Sequence, residues 1–348
     1  MFESKESRTE LKSLGEFKLI DEITSSFKLE NKSSIYGVGD DCAVLSYPDK
    51  KILVSTDLLV EGVHFDMVYT PLMHLGYKAA TVNFSDIYAM NGKPKQITVG
   101  IAVSNRFSAE AIKEIYSGIE QACKNYHVDL VGGDTTSSLG GLFISVTVIG
   151  EAENDKSIVY RNGAKTNDLI CVSGNLGASY MGLMILEREK TTWQANPNMQ
   201  PDLAGNEYLL QRFLRPEARF DIHEILKAKK IVPTAMIDIS DGLASELNHI
   251  CSQSKKGCNV YEDKIPIDPE TILVAEEFNI NPITAAFNGG EDYELLFTID
   301  QKDYEAVKDI PQISIIGHIT DNEKEMSLIT HDNVVVELKA QGWDSFRN

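Results

Sequence analysis

Apolar blocks alternate along the chain with amphipathic segments, and the two patterns predict strands and helices in turn. Apolar, β-branched runs at 50–60 and 95–104 are typical of buried strands. Residues 74–90 and 108–126 instead carry apolar side chains at the three- and four-residue spacing of a helix, and Ser108 is suited to cap the second of them. The first half of the chain is therefore predicted to alternate strands with helices.

The same alternation extends in both directions from this region. A helical pattern lies at 16–27, and 128–136 predicts a strand followed by a Gly-rich turn. A polar interruption at 190–206 predicts a surface loop. The other predicted elements are a strand at 141–150, a strand and glycine turn at 168–177, a helix at 178–189, a helix ending near 230, a strand at 235–240, a helix at 241–254 and a strand within 289–300.

The charged segment EAENDKS at 151–157 interrupts the apolar pattern between the two series. A chain of 348 residues also exceeds what one hydrophobic core usually serves, so two domains are expected. We predict a first domain at 1–150 and a second at 151–348. The predicted fold class is α/β, in the sense of two-layer α+β, for each domain.

The charge balance limits the partners of this chain. Its formal net charge is −19, which disfavours binding to free nucleic acid and to anionic membranes. A polyphosphate can still bind where a divalent metal ion bridges it to carboxylates of the protein. The five cysteines form no C-x-x-C pair, which favours a reducing cytoplasm over a disulfide framework or a zinc site. No window approaches about 18 uninterrupted apolar residues, and the N-terminal segment lacks an apolar signal core, so no membrane span is expected.

Acidic residues recur beside glycine, serine or threonine where predicted strands end. Carboxylate, hydroxyl and carbonyl oxygens together suit a hard cation such as Mg²⁺, and loops at strand ends are common ligand sites. Any one of these motifs is more often a plain turn or a helix N-cap, but their recurrence favours a metal site. The motifs contribute Asp40, Asp41, Ser55, Thr56, Asp57, Asp86, Asp134, Asp238, Ser240, Asp241, Glu291 and Asp292.

Several well-known catalytic motifs are missing from the sequence. It has no G-x-x-x-x-G-K-[ST] phosphate loop, no protein-kinase H-R-D or D-F-G, no G-x-S-x-G elbow, no H-E-x-x-H and no EF-hand pattern. Among the seven histidines, only His64 lies close to an acidic motif, and an isolated histidine usually has a structural or surface role.

Seven segments, in this order, resemble the thiamine-monophosphate kinase family: GDDCAVL, STDLLVEGVHF, VNFSDIYAMNGKP, LVGGDTT, YRNGAK, IDISDGLASELNHI and NGGEDYELLFT. The similarity runs from about Gly37 to Trp343. It implies two α/β domains of the aminoimidazole-ribonucleotide-synthetase-like superfamily, a homodimer, and several Mg²⁺ ions between the domains. It also implies that ATP phosphorylates thiamine monophosphate to thiamine diphosphate, the last step of thiamine diphosphate biosynthesis.

The resemblance further implies roles for single residues, of which Asp86 and Asp134 would be the most critical. The implied metal ligands are Asp41, Ser55, Thr56, Asp57, Asp86, Asp134, Asp238 and Asp241. The implied ATP contacts are Tyr116, Gly133, Asp134, Arg161 and Ser240. The implied substrate contacts are His64, Glu291 and Trp343. Asp40, beside Asp41, is expected to hydrogen-bond the loop instead.

The chemistry of such a reaction agrees with this residue set. ATP and a phosphate monoester bring about five to six negative charges to one place, so an acidic protein needs several Mg²⁺ ions between its carboxylates and the phosphates. Arg161 can add a permanently charged, forked contact. Because the acceptor is an already ionised phosphate oxygen, no residue is predicted to act as general acid or base, and direct in-line transfer without a phosphoenzyme is expected.

Three alternatives stay open from the sequence. Another ATP-using member of the superfamily, such as selenophosphate synthetase or aminoimidazole-ribonucleotide synthetase, shares several motifs, although the first usually needs a reactive cysteine or selenocysteine in a Gly-rich N-terminal segment, which this chain lacks. A non-catalytic protein that binds divalent cations predicts metal-dependent stability without ATP turnover. A plain α/β domain with acidic turns predicts neither.

Overall fold

The computed structural model of the chain describes residues 34–36, 39–47, 50–154, 156–323 and 325–339. The helix predicted at 16–27 and the predicted substrate contact Trp343 lie outside these described residues.

The first half of the chain forms a six-stranded sheet with two helices on one face. The strands are β1 (Ser34–Tyr36), β2 (Ala43–Tyr47), β3 (Lys50–Val60), β4 (Lys93–Val103), β5 (Asp129–Ser137) and β6 (Phe143–Ala152). The helices are α1 (Leu72–Ala89) and α2 (Ala109–Tyr126). The strand order is β1-β2-β3-β6-β4-β5, and all neighbours are antiparallel except β4 and β5, which are parallel.

Side-chain alternation in β3 shows which face of this sheet carries the core. Leu53 and Leu59 are buried in the cluster beneath the helices, whereas Leu58 on the opposite face is 52% exposed. Helix α1 is buried on nearly all sides, because it packs against the sheet, against α2 and against elements of the second half. This position places Asp86, near the end of α1, where the two halves of the molecule meet.

The second half forms a seven-stranded sheet with helices on both faces. Its strands are β7 (Leu169–Ser173), β8 (Ala235–Asp238), β9 (Gly257–Tyr261), β10 (Leu295–Ile299), β11 (Ile313–Thr320), β12 (Met326–Ile329) and β13 (Val335–Glu337). Its helices are α3 (Ala178–Ala195), α4 (Glu207–Leu214), α5 (Phe220–Ala228), α6 (Leu243–Ser254), α7 (Pro269–Glu277), α8 (Pro282–Asn288) and α9 (Tyr304–Val307). The strand order is β13-β12-β9-β11-β7-β10-β8, with only β12 and β9 parallel among these described strands.

The strand β10 shows how this second sheet is covered. Leu296 faces the cluster that contains Leu243 of α6, and Phe297 faces the cluster that contains Ile222 of α5. Because both of its faces are covered by helices, β10 is buried at every position. Its sequence LLFTI is apolar except for Thr298 and lacks the alternation of apolar and polar residues.

Most of the predicted elements are confirmed, with one instructive exception. The strand predicted at 50–60 is β3, and the Ser108 hydroxyl accepts a hydrogen bond from the Ala111 amide at 3.3 Å, as expected of an N-cap. The Gly-rich turn predicted within 128–136 is wrong, because β5 runs unbroken through both glycines. A Cβ atom at Gly133 would overlap the carbonyl oxygen of Val99, so glycine there permits close pairing of two strands.

The polar segment 190–206 is only partly a loop. Helix α3 continues to Ala195, so the surface-loop prediction is wrong for 190–195 and confirmed for the largely exposed residues that follow. The chain passes from the first sheet to the second between Ala152 and Leu169, and the domain boundary after residue 150 stays a prediction. None of the helices in the described ranges is both long and apolar enough to cross a membrane.

Candidate active site

A cavity of about 650 Å³ lies between the two sheets, and most of the predicted site residues line it. Its walls come from β3 and the loop after it, from α1, from the turn between β8 and α6, and from the loop before β10. The predicted residues in its lining are Asp41, Ser55, Thr56, Asp57, His64, Asp86, Arg161, Asp238, Ser240, Asp241 and Glu291. The fold therefore brings together side chains that are far apart in the sequence.

Other predicted site residues do not line this cavity. Gly133 and Asp134 lie on the edge strand β5, where Asp134 pairs with Gly100 of β4. Tyr116 lies on α2 and packs against the core of the first half. The roles implied for these residues, and for Trp343, stay predictions.

Three carboxylates converge at the inner end of the cavity. Oxygen atoms of Asp41, Asp86 and Asp238 all lie within 4.8 Å of one another. Burial raises the pKa of Asp86 and of Asp238 well above the ordinary range, and the neighbouring carboxylates raise both further. The Ser55 hydroxyl donates a hydrogen bond to Asp86 at 2.5 Å, which favours the ionised form of that carboxyl. Such a cluster is costly without a cation.

Arg161 provides one positive charge beside this cluster. Its Nε and one terminal nitrogen donate to the two oxygens of Asp41 at 3.0 and 2.9 Å. Asp40 instead accepts hydrogen bonds from the backbone amides of Asp41 and Arg161, at 3.0 and 3.1 Å, so it holds the loop as expected. Burial and then the adjacent Asp41 raise the pKa of Asp40 to about 7.

Thr56 and Asp57 occupy opposite faces of β3. Asp57 lies on the core side, where burial and then Asp41 raise its pKa to about 6. The Thr56 hydroxyl donates to the carbonyl oxygen of Val146 at 3.0 Å on the other side. Of these two side chains, the Asp57 carboxylate is therefore the better placed to serve the cluster.

Glu246 and His249 are cavity residues that the sequence reasoning missed. One oxygen of Glu246 accepts the amide of Asp241 at 3.0 Å, and its other oxygen is buried without a hydrogen-bond partner among the described residues. Burial and then Arg161 lower the pKa of His249 to about 4. Both residues lie on α6 directly after the IDISDG motif and are three residues apart, so their common helix face next to that motif was the available signal.

The donor set fits a hard divalent cation. It consists of oxygen atoms, the three clustered carboxylates are close enough to share one ion, and Glu246 adds an unsatisfied carboxylate oxygen in the same cavity. Mg²⁺ prefers such ligands, and it would supply the positive charge that the raised pKa values of Asp86 and Asp238 show to be lacking.

A strained loop presents Glu291 to the cavity. Glu291 and Tyr293 both have positive φ values, of 57° and 51°, which non-glycine residues rarely adopt. The loop is held by hydrogen bonds from the Glu291 amide to Ser240 and from the Tyr293 amide to Ile239, at 2.6 and 2.9 Å. The backbone of this loop therefore fixes the position of the Glu291 Cβ atom.

The outer part of the cavity mixes aromatic, apolar and charged groups. His64 lies in the loop after β3, where its Nδ1 accepts the amide of Val60 at 3.1 Å. Across the cavity, Lys190 of α3 contacts Asp66 at 2.8 Å, and the Tyr69 hydroxyl donates to Glu187 at 2.8 Å. This end could hold the organic part of a ligand whose phosphates point to the carboxylates.

Comparison with known proteins defines the class of this fold and site. Family models described as AIR synthase related protein, N-terminal domain and C-terminal domain, match residues 39–152 and 165–328. A thiamine-monophosphate kinase of Bacillus subtilis (strain 168) is 34% identical over 341 residues, covering 96% of this chain and 100% of that protein. One of Aquifex aeolicus (strain VF5) is 37% identical over 336 residues, covering 97% and 99%.

A solved structure gives the same result. It is described as AaThiL complexed with AMPPCP and TMP, superposes with a TM-score of 0.81 at 34% identity, and covers 97% of this chain and 99% of that one. The chain is thus a two-domain protein of the AIR synthase related class. Within that class, it belongs to the thiamine-monophosphate kinase family.

Proposed function

We propose that this protein transfers the γ-phosphoryl group of ATP directly to thiamine monophosphate, giving thiamine diphosphate as the last step of its biosynthesis. The observation that carries the proposal is the convergence of Asp41, Asp86 and Asp238 in one cavity. Membership of the family supports the choice of substrates, since a relative has been solved with AMPPCP and TMP.

The proposal includes Mg²⁺ ions at the carboxylates. Asp41, Asp86 and Asp238 would hold them, and the predicted set is completed by Ser55, Thr56, Asp57, Asp134 and Asp241. Bound Mg²⁺ neutralises phosphate charge and aligns the reacting groups. The clustered carboxylate oxygens fit a Mg²⁺ ion, and this fit supports the metal-binding part of the proposal.

Residues of this chain would orient the two substrates. Arg161, held by Asp41, and Ser240 lie beside the carboxylates, where nucleotide phosphates would bind. The ATP contacts predicted for Tyr116, Gly133 and Asp134 belong to the same proposal. His64 and Glu291, which also line the cavity, would orient thiamine monophosphate. The substrate contact predicted for Trp343 belongs to the same proposal.

The proposed transfer is in line and needs no proton acceptor on the protein. The attacking group is a phosphate oxygen that is already ionised at neutral pH, so orientation and charge neutralisation suffice. The three carboxylates that converge in the cavity are suited to bind cations, which supports a transfer that depends on charge neutralisation.

A homodimer is also part of the proposal. The face of the first sheet that lies away from α1 and α2 exposes the Leu58 side chain, and the edge strand β5 exposes Leu130 and Val131. Apolar groups on an open sheet face, and on an outer strand with no further neighbour among the described residues, are suited to bind a second copy of the chain. We place the enzyme in the cytoplasm, where its five free cysteines would stay reduced.

The test is a product assay. Purified protein is incubated with Mg²⁺, ATP and thiamine monophosphate, and thiamine diphosphate is measured against a characterised kinase of this family. We expect product in proportion to ADP. Absence of product while the control enzyme is active would refute the proposal, and metal-dependent stabilisation without turnover would favour a binding protein. Acid-stable labelling of the protein by γ-labelled ATP would exclude direct transfer.

A further inference from the structure

Lys78 is a buried cation in the wall of the cavity that the sequence motifs did not single out. Its side chain is 3% exposed, and its Nζ lies 2.5 Å from an oxygen of Glu291. The same ammonium donates to the backbone carbonyl of Phe213 at 3.2 Å and lies 4.2 Å above the centroid of the Phe213 ring. A buried lysine with this many partners is held in one place.

The partners of Lys78 connect both halves of the molecule. Lys78 belongs to α1 of the first half, whereas Phe213 lies on α4 and Glu291 in the loop before β10. All three residues line the cavity. The ion pair therefore crosses the junction of the two halves at the place where a substrate would bind.

Glu291 differs from the acidic residues that follow it in the loop. Asp292 is directed to the start of α3, where it accepts the amide of Gly177 at 2.7 Å. Glu294 is bound by Arg212 and Arg219 away from the cavity lining. Glu291 is thus the carboxylate of this loop that faces the cavity, and its contact with Lys78 involves only one of its two oxygens.

We propose that Lys78 is a positioning residue, which binds one oxygen of Glu291 and directs the other toward the cationic, amino-bearing rings of the acceptor. This inference rests on the proposed function, because thiamine monophosphate carries a thiazolium cation and an aromatic amine. Without the ammonium, the flexible glutamate side chain would sample several rotamers. The low exposure of Lys78 and its three close contacts argue against a direct contact with phosphate.

The experiment compares Lys78→Met with Lys93→Met. Lys93 is a matched control, because it also forms an ion pair between the halves, with Glu224 at 2.6 Å, but lies outside the cavity lining. We expect Lys78→Met to raise KM for thiamine monophosphate by about tenfold to a hundredfold, since a charged hydrogen bond is lost, and to leave KM for ATP nearly unchanged. Lys93→Met should retain both constants.

Direct binding separates action through Glu291 from contact with phosphate. Calorimetry with thiamine and with thiamine monophosphate should show equal losses of affinity in Lys78→Met, because the rings are common to both ligands. A loss confined to the phosphorylated ligand would overturn the inference. The double variant Lys78→Met/Glu291→Gln should bind no worse than Glu291→Gln alone, whereas additive losses would contradict a role through Glu291.

Two further outcomes keep the inference distinct from the proposed function. If the unmodified protein forms no thiamine diphosphate, both fail; if it does and Lys78→Met has an unchanged KM, only the inference fails. Circular dichroism checks folding, and Lys78→Gln replaces the methionine variant if that one unfolds. The glutamine lacks the charge, so the same selective rise in KM is expected and its absence is equally decisive.

Discussion

At the scale of single residues, the site is defined by carboxylates that burial makes difficult to ionise. Asp86 and Asp238 have strongly raised pKa values because they are buried beside each other and beside Asp41. Arg161 compensates for one of these charges by its forked contact with Asp41. The other buried carboxyls stay neutral by holding protons unless a bound cation replaces those protons, and this exchange is the physical basis of the proposed metal site.

Asp86→Asn tests this requirement. The amide keeps the size of the side chain but removes a charge that Mg²⁺ would balance, so we expect kcat to fall by at least about a hundredfold. The metal-free protein should keep or gain stability, because repulsion with Asp57 and Asp238 is relieved. Steady-state kinetics and thermal unfolding in EDTA measure the two effects.

An exposed aspartate is the control for this substitution. Asp263 lies in the short turn after β9, outside the cavity lining, and Asp263→Asn should leave kcat within about twofold of the unmodified protein. Near-normal turnover by Asp86→Asn would contradict a role for that carboxylate in metal binding.

Metal binding should release protons. The pKa of Asp40 is raised to about 7 and that of Asp57 to about 6, above the ordinary value of about 3.9, so the metal-free folded state holds more protons than the unfolded state in this range. Stability without metal should therefore fall as pH rises from about 4 to about 7. Mg²⁺ needs ionised carboxylates and opposes this loss.

Calorimetric titration of Mg²⁺ at pH 6, in two buffers with different ionisation enthalpies, measures the released protons. We expect net release at pH 6 and a smaller release at pH 8, where Asp40 and Asp57 are already ionised. Equal heats in both buffers at pH 6 would contradict the raised pKa values.

At the scale of elements, close packing determines where glycine and small residues are needed. Strand β5 approaches β4 so closely that Gly133 has no room for a side chain, although Gly132 beside it has only the Thr98 methyl group at 3.8 Å. Helix α1 likewise crosses α2 at Gly118, where a Cβ atom would overlap the backbone of Met73. These contacts position the strand and helix that carry Asp134 and Asp86.

The pair Gly133→Ala and Gly132→Ala tests the strand contact. The first substitution should lower the free energy of unfolding by about 1–3 kcal/mol, because the new methyl group forces β4 and β5 apart. The second should change it by less than about 0.5 kcal/mol. Urea unfolding of both variants measures the difference, and equal stabilities would argue against the close pairing of these strands.

At the scale of the whole molecule, two mixed sheets enclose one cavity at their junction. Each half supplies carboxylates to it, with Asp41 and Asp86 from the first and Asp238 from the second. The ion pair between Lys78 and Glu291 connects the two halves in the wall of this cavity. Neither half alone contains the three-carboxylate cluster, so function and the packing of the halves are coupled.

The sequence predicted what depends on local patterns and on recurring motifs. Periodicity was enough for β3 and α1, and the acidic motifs at strand ends identified most of the cavity lining. It did not predict the largely antiparallel strand order or the passage of β5 through Gly133, because both depend on pairing with distant segments. Lys78 was missed for the same reason, since its carboxylate partner lies far along the chain.

The central claim is that the clustered carboxylates hold Mg²⁺ needed for transfer in addition to the ion that ATP carries. The most direct measurement is the rate of thiamine diphosphate formation at saturating MgATP and thiamine monophosphate, as the concentration of free Mg²⁺ is increased. We predict that the rate continues to rise after all ATP is present as MgATP, and that this rise is lost in Asp86→Asn. A rate that depends on MgATP alone, with no response to free Mg²⁺, would contradict the claim.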